Sequence, residues 1–89
     1  MAHRELEIVN IKGLHARAAA KFAETVEQFD AQAEVIKDGL SAAGDSIMGL
    51  LMLAASKGTF IEVETTGRQA EDLADALQAL VAGKFGEGD

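Results

Sequence analysis

The stretch "GLHARAAAKFAETVEQF", from Gly13 to Phe29, decides the fold because it carries a clear helical pattern near the start of the chain. Its apolar residues recur at steps of three and four, the spacing that lines one face of a helix. They are Ala19, Phe22, Ala23, Val26 and Phe29. This spacing predicts a helix from Ala16 to Phe29. His15 then lies at or next to the N-cap, in the connection that leads into the helix.

Four short strands are predicted around this helix. Residues Glu5 to Ile8 alternate between polar and apolar types, which is typical of a half-buried strand. Asp38 and Gly39 can adopt the positive φ angles of a tight hairpin turn, so the strands on either side are expected to pair. The predicted strands are Glu5–Ile8, Ala33–Lys37, Leu40–Ala42 and Phe60–Thr65.

Two further helices complete the pattern. Ser46 is the predicted N-cap of a helix over Ile47–Ala55, because a serine side chain can accept a hydrogen bond from an amide of the first turn. A third helix over Ala70–Val81 is predicted to stop at Gly83, before a frayed tail over 83–89. The order β-α-β-β-α-β-α predicts an α+β fold, with helices on one face of a sheet and water on the other.

Composition limits the classes of function. The 89 residues are 48% hydrophobic, and we expect them to form one domain over residues 1–89. The chain has no cysteine, which excludes disulfides and thiol catalysis, and no apolar stretch long enough to span a bilayer. A formal net charge of −7 disfavours binding to nucleic acid. We therefore expect a cytoplasmic monomer whose partners are proteins or small molecules.

His15 and Arg17 form the candidate site. The first amide groups of a helix lack internal acceptors, and with the helix dipole they can bind an anion such as phosphate. The same field and Arg17 disfavour a positive charge on His15, which favours a neutral imidazole able to attack phosphorus. Arg17 and the backbone N–H groups of Ala16 and Arg17 would then stabilise the phosphoryl group.

The residues alone leave other interpretations open. A single histidine in a loop is usually a surface residue without chemistry. A metal site is poorly supported, because the other histidine is His3 and there is no cysteine, and we expect neither a metal nor another cofactor. A serine hydrolase is weaker still, since the chain contains no G-x-S-x-G motif. His3 itself is interpreted as a terminal surface residue.

The sequence also resembles the HPr family, the histidine phosphocarriers of the bacterial phosphoenolpyruvate-dependent phosphotransferase system. The resembling segments are GLHAR at 13–17, SIMGLLMLA at 46–54, Lys57-Gly58 and FGE at 85–87. The resemblance implies a four-stranded antiparallel sheet covered on one face by three helices. It also implies that His15 accepts phosphate from enzyme I, as a pros-phosphohistidine, and passes it to a histidine of an enzyme IIA-type protein. Such a chain is an intermediate in transfer more than an independent enzyme.

The chain departs from the family pattern at Ala18, where many members have a proline that presets φ in the first helical turn. The version AAAKF at 18–22 resembles the nitrogen-related NPr branch and some other HPr proteins. Sugar uptake is therefore not the only role to consider. The alternative is a regulatory interaction module, for nitrogen or carbon regulation, in which the phosphorylation state of His15 or Ser46 selects partners.

Ser46 is a second candidate for modification. The family resemblance implies that an HPr kinase/phosphorylase could phosphorylate it, and this role is compatible with its predicted capping role. Asp45 beside it would repel the added phosphate, which argues against kinase control.

The second predicted helix carries two apolar stripes. One consists of Ile47, Leu50, Leu51 and Ala54, and the other of Met48, Met52 and Ala55. One helix on a sheet cannot easily bury both, and we expect the first stripe to face the sheet. Met48 then belongs either to the periphery of the core or to an exposed docking patch. The resemblance assigns that patch to Ala16, Ala20, Ile47, Met48 and Leu51.

Overall fold

One four-stranded antiparallel sheet and three helices make up the protein, as a computed structural model that describes residues 1–87. The elements in chain order are β1 Ala2–Glu7, α1 Ala16–Glu27, β2 Gln32–Lys37, β3 Leu40–Ala43, α2 Ile47–Met52, β4 Phe60–Thr66 and α3 Ala70–Ala82. The strands lie side by side in the order β1-β4-β2-β3. The predicted α+β fold and its order of elements are confirmed.

The register of the sheet separates a buried face from an open one. Val35 of β2 lies opposite Val63 of β4 on one side and Ala42 of β3 on the other, and all three are buried. Their neighbours along the strands point the other way, as the two-residue period of a strand requires. The β2–β3 hairpin closes through Asp38 and Gly39, whose φ angles are 51° and 82°. The predicted hairpin is therefore confirmed.

The helices bury their apolar residues against the inner face of this sheet. Phe22 of α1, Leu50 of α2 and Leu73 of α3 have no exposed surface and belong to one core cluster with the inward residues of the strands. Burial of such side chains contributes on the order of 2 kcal/mol each to stability. This packing holds the start of α1 and the start of α2 on the same side of the sheet, because α1 and α2 contact each other.

Two predicted helix ends are wrong by a few residues. α1 ends at Glu27 instead of Phe29, and α2 ends at Met52 instead of Ala55. After Met52 the helix gives way to a tighter turn, in which the Ala54 amide donates to the Leu51 carbonyl, three residues earlier, at 3.1 Å. Ala54 then adopts a φ of 53°, which lies outside the right-handed helical region.

The frayed tail predicted over 83–89 is wrong for the part of it that the structure describes. Lys84–Gly86 form a short turn with positive φ angles, and the Phe85 side chain is completely buried. The Lys21 ammonium donates to the Phe85 carbonyl at 2.6 Å. An aromatic side chain that reaches the core supplies enough buried surface to order the few residues around it. Residues 88 and 89 of the predicted tail lie outside the described residues.

Candidate functional site at the start of α1

A tight turn at Gly13 positions His15. Gly13 has a φ of 64°, and a Cβ atom added there would lie 2.5 Å from the Ala55 carbonyl oxygen. The next amide, of Leu14, donates to that same oxygen at 2.9 Å, and the Leu14 side chain is buried. His15 follows as the N-cap of α1, as predicted, with an extended backbone.

The two ring nitrogens of His15 have different surroundings. Nε2 is hydrogen-bonded to the Glu87 carboxylate oxygen Oε2. Nδ1 makes no hydrogen bond within residues 1–87, and the side chain does not cap an amide of the helix. The side chain as a whole is 27% exposed. One nitrogen is therefore held by a carboxylate while the other carries no protein partner in this part of the chain.

Positively charged side chains and the first amides of α1 lie beside His15. Arg17 is exposed and has no hydrogen bond or ion pair with the described part of the chain, residues 1–87. It lines a surface pocket, the Arg17 pocket, together with Lys12, Lys21, Gly86 and Glu87. The first amides of α1 add to this charge, since the first bond back to the cap runs from Ala19 N–H to the His15 carbonyl, at 2.8 Å. The arrangement can bind a phosphoryl group next to an imidazole nitrogen.

Asn10 and Glu87 are the residues of this site that the sequence analysis missed. Asn10 is completely buried, and its Nδ2 group donates to the Gly13 carbonyl at 2.8 Å and to Glu87 Oε1 at 2.9 Å. A polar residue between Val9 and Ile11 was a signal that could have indicated Asn10. Glu87 lies in a segment that family resemblance singled out, but nothing in the sequence connects it to His15.

Ser46 caps α2 as predicted. Its Oγ atom accepts a hydrogen bond from the Gly49 amide at 3.1 Å. Asp45 beside it is exposed. The capping role is therefore confirmed, and modification of Ser46 stays a prediction.

The apolar stripe expected to face the sheet from α2 is only partly right. Leu50 is buried and Leu51 is half-buried, but Ile47 is 42% exposed and Ala54 is exposed. α2 has only six residues, and just beyond its end Leu53 is buried in the core in place of Ala54. Met48 and Met52 are 70% and 75% exposed, as the exposed-patch interpretation of Met48 expects, whereas Ala55 of the second stripe is buried.

The five residues proposed as a docking patch lie on two helices that contact each other. Ala16 and Ala20 belong to the first turns of α1, and Ile47, Met48 and Leu51 belong to α2. Ala16, Ile47 and Met48 are exposed, whereas Ala20 and Leu51 are half-buried. We call these five residues the α1–α2 patch.

His3 is exposed, in agreement with its interpretation as a surface residue. Its Nε2 atom lies 3.4 Å from a carboxylate oxygen of Glu62 on the neighbouring strand. Within residues 1–87 no three histidine or carboxylate side chains are arranged to hold a metal ion.

A protein-family model described as the PTS HPr component phosphorylation site matches residues 2–83. This chain belongs to the HPr family. Across the whole of both chains it is 48% identical to the phosphocarrier protein HPr of Neisseria meningitidis serogroup A. It is also 40% identical over 84 residues to the phosphocarrier protein NPr of Shewanella violacea, covering 94% of this chain and 92% of that protein. The chain is therefore a phosphocarrier of the HPr type.

Solved HPr structures share the fold. The crystal structure of HPr-C-His from Thermoanaerobacter tengcongensis superposes with a TM-score of 0.93 at 39% identity, covering 98% of both chains. An HPr dimer from the same organism gives a TM-score of 0.77 at 39% identity, covering 98% of this chain and 100% of that one. No helix in residues 1–87 has the length and apolar character that crossing a membrane would require.

Proposed function

We propose that this protein accepts a phosphoryl group on His15 Nδ1 from phospho-enzyme I and passes it to a histidine of an enzyme IIA-type protein. The observation that carries the proposal is the environment of His15. Its Nδ1 atom has no hydrogen bond within residues 1–87, and it lies at the start of α1 beside the cations of the Arg17 pocket. A helix start and nearby cations are favourable surroundings for a phosphoryl group.

The transfer exchanges one phosphorus–nitrogen bond for another. The lone pair of Nδ1 forms a bond to phosphorus, while the bond to the donor histidine breaks and its electron pair stays on the donor nitrogen. Arg17 and the amides of Ala16 and Arg17 stabilise the negative charge on the phosphoryl oxygens. The same contacts operate in reverse when the phosphoryl group leaves for the IIA-type protein, so the carrier is regenerated.

The α1–α2 patch suits partners that bind and then leave. Apolar contact from Met48 and Ile47 would form the centre of the interface, with polar residues around it. Lys12, Arg17 and Lys21 would favour a partner that is acidic near its own histidine. We further propose that residues 1–89 act as one cytoplasmic domain, and that a single copy of the chain suffices for transfer.

Incubation with enzyme I and phosphoenolpyruvate tests the proposed function. We expect one phosphate per chain, stable in base and labile in acid, as a phosphoramidate is. Mapping should place it on His15, and His15→Ala should abolish it. His3→Ala is the matched control and should retain full labelling. A phosphate on Ser46 or His3, or none on wild-type protein, would overturn the proposed transfer through His15.

Regulation through Ser46 is a second candidate, favoured by its position at the start of α2 beside the α1–α2 patch. A phosphate on Ser46 would place negative charge next to Met48 and weaken docking of an acidic partner. The exposed carboxylate of Asp45 opposes that modification. An HPr kinase with ATP should therefore modify Asp45→Lys faster than wild-type protein, and equal rates would show that Asp45 has no influence.

A further inference from the structure

His15, Glu87 and Asn10 form a chain of contacts at the candidate site. One carboxylate oxygen of Glu87 contacts His15 Nε2, and the other accepts a hydrogen bond from Asn10 Nδ2. Asn10 anchors this carboxylate from a completely buried position. Its second Nδ2 hydrogen bond, to the Gly13 carbonyl, ties the same side chain to the turn before His15.

Asn10 is an unfavourable residue for a purely structural position. Its side-chain oxygen Oδ1 is buried and has no hydrogen-bond partner within the described chain. A buried acceptor without a partner destabilises the fold, and an apolar residue of similar size would avoid this cost. The Nδ2 group, by contrast, has two acceptors. We therefore attribute the presence of asparagine at this position to the two hydrogen bonds that its Nδ2 group donates.

The C-terminal turn is built to bring Glu87 to this position. Lys84 and Phe85 have φ angles of 58° and 55°, a left-handed conformation that residues other than glycine rarely adopt. Burial of Phe85 and the hydrogen bond from Lys21 to its carbonyl hold this turn. Glu87 follows two residues later with its side chain only 12% exposed.

We infer that Glu87 is a positioning residue for phosphoryl transfer and that Asn10 supports it. A carboxylate at Nε2 favours the tautomer in which Nε2 carries the proton, because a carboxylate can only accept. The Nδ1 lone pair is then available for the phosphoryl group. This inference rests on the proposed function, and it adds the reason why one ring nitrogen is selected over the other.

Glu87 also stabilises the charge that the reaction creates. When Nδ1 bonds to phosphorus and Nε2 keeps its proton, the ring becomes an imidazolium. The adjacent carboxylate offsets that positive charge without becoming protonated, as the aspartate of a serine protease triad does for its histidine.

Two variants and one matched control test the inference. Glu87→Gln keeps the size of the side chain but offers one acceptor oxygen to two donors, those of His15 and Asn10. Asn10→Leu keeps the Glu87 carboxylate but removes the hydrogen bond that Asn10 Nδ2 donates to it. Glu24→Gln makes the same chemical change as Glu87→Gln on an exposed position of α1. Thermal melts by circular dichroism identify the variants that fold.

The first measurement is the ¹⁵N chemical shifts of the His15 ring, which report the tautomer without any phosphoryl transfer. We expect the proton on Nε2 in wild-type protein and in Glu24→Gln. We expect a mixture of both tautomers in Glu87→Gln and in Asn10→Leu. A wild-type ring protonated on Nδ1, or an unchanged ring in Glu87→Gln, would overturn the inference.

The second measurement is the rate of phosphorylation by phosphoramidate, a small donor that needs no docking surface, and by phospho-enzyme I. We expect Glu87→Gln to be about 10- to 100-fold slower with both donors, by analogy with metal-bound histidines, for which loss of the group that orients the ring has an effect of that size. Glu24→Gln should match wild-type protein. A rate within twofold of wild type in Glu87→Gln would overturn the inference.

The two proposals can fail separately. If phospho-enzyme I does not label wild-type protein, the proposed function fails, whereas a ring protonated on Nε2 in wild-type protein that becomes mixed in Glu87→Gln still shows that Glu87 sets the tautomer of His15. If wild-type protein is labelled on His15 and Glu87→Gln behaves identically, the positioning role fails alone.

Discussion

At the scale of single residues, Arg17 differs from its neighbours Lys21 and Glu87 in being unpaired within residues 1–87. Lys21 holds the Phe85 carbonyl and Glu87 holds the imidazole, so both have structural contacts to maintain. A guanidinium without such a contact can turn toward an arriving phosphoryl group and bind two of its oxygens. The fold therefore leaves Arg17 available for phosphate.

Replacement of Arg17 should separate transfer from stability. We expect Arg17→Ala to slow phosphorylation of His15 by about 10- to 1,000-fold, because one charge-stabilising group is lost. Its free energy of unfolding should change by less than about 0.5 kcal/mol, as at other surface positions. Timed transfer assays with phospho-enzyme I measure the rate of phosphorylation, and urea melts measure the free energy of unfolding. An unchanged transfer rate would show that Arg17 is only a surface residue.

Ala54 is a residue-scale source of strain that sequence alone does not reveal. Its φ of 53° is unfavourable for a residue with a Cβ atom, and its side chain is exposed. We expect Ala54→Gly to raise the free energy of unfolding by about 0.5 kcal/mol, since relief of strain exceeds the added chain entropy of glycine. Ala79→Gly, at an exposed position inside α3, is the matched control and should lose about 1 kcal/mol. Destabilisation of Ala54→Gly in urea melts would contradict the prediction.

At the scale of elements, α2 is a six-residue helix with its N-cap bonded and its outer side apolar. Such a short helix is only marginally stable alone and depends on packing through Leu50. Its exposed residues are therefore not needed to hold it in place. Met48 and Ile47 are therefore available for the proposed contact with partners.

Substitution of Met48 tests whether the exposed residues of α2 contribute to docking rather than to stability. We expect Met48→Asp to change the free energy of unfolding by less than about 0.5 kcal/mol, because the side chain is 70% exposed. Binding to enzyme I and to IIA-type proteins should weaken, since a charge would have to be desolvated at an apolar contact. Met52→Asp, at a 75% exposed position outside the α1–α2 patch, is the control. Normal binding by Met48→Asp in titration calorimetry would remove this residue from the patch.

At the scale of the whole molecule, the open face of the sheet carries two pairs of facing carboxylates. Glu5 lies opposite Glu62 and Glu34 lies opposite Glu64, on the face away from the helices. Carboxylates directly opposite each other on neighbouring strands repel. The cations of the Arg17 pocket lie at the helix side, so a net charge of −7 does not prevent a positive field beside His15.

Reversal of one charge on the open face should stabilise the fold. We expect Glu64→Lys to raise the free energy of unfolding by about 0.5 kcal/mol, because it converts a repulsive pair with Glu34 into an attractive one. Glu64→Gln removes only the repulsion, so its free energy of unfolding should lie between those of wild-type protein and Glu64→Lys. Urea melts at low salt measure the effect, and 1 M salt should reduce it. A Glu64→Lys variant that is less stable than wild type at low salt would contradict the prediction.

The sequence by itself determined the features that depend on neighbours along the chain. The face of α1, the Asp38-Gly39 hairpin and the Ser46 cap each rest on residues within a few positions of one another, so periodicity and residue type suffice to predict them. The position of His15 at the start of α1 follows in the same way. Together these features predicted the fold and one end of the candidate site.

Only the tertiary structure decided what surrounds the His15 ring. Glu87 is 72 residues from His15 and 77 from Asn10 along the chain, and no local pattern links positions so far apart. Burial of Phe85 in the core orders the C-terminal turn and brings the three side chains together. The early end of α2 has the same origin, because packing of Leu53 rather than helical periodicity sets where that helix stops. Local pattern thus predicts the elements, whereas core packing determines which distant side chains meet at their ends.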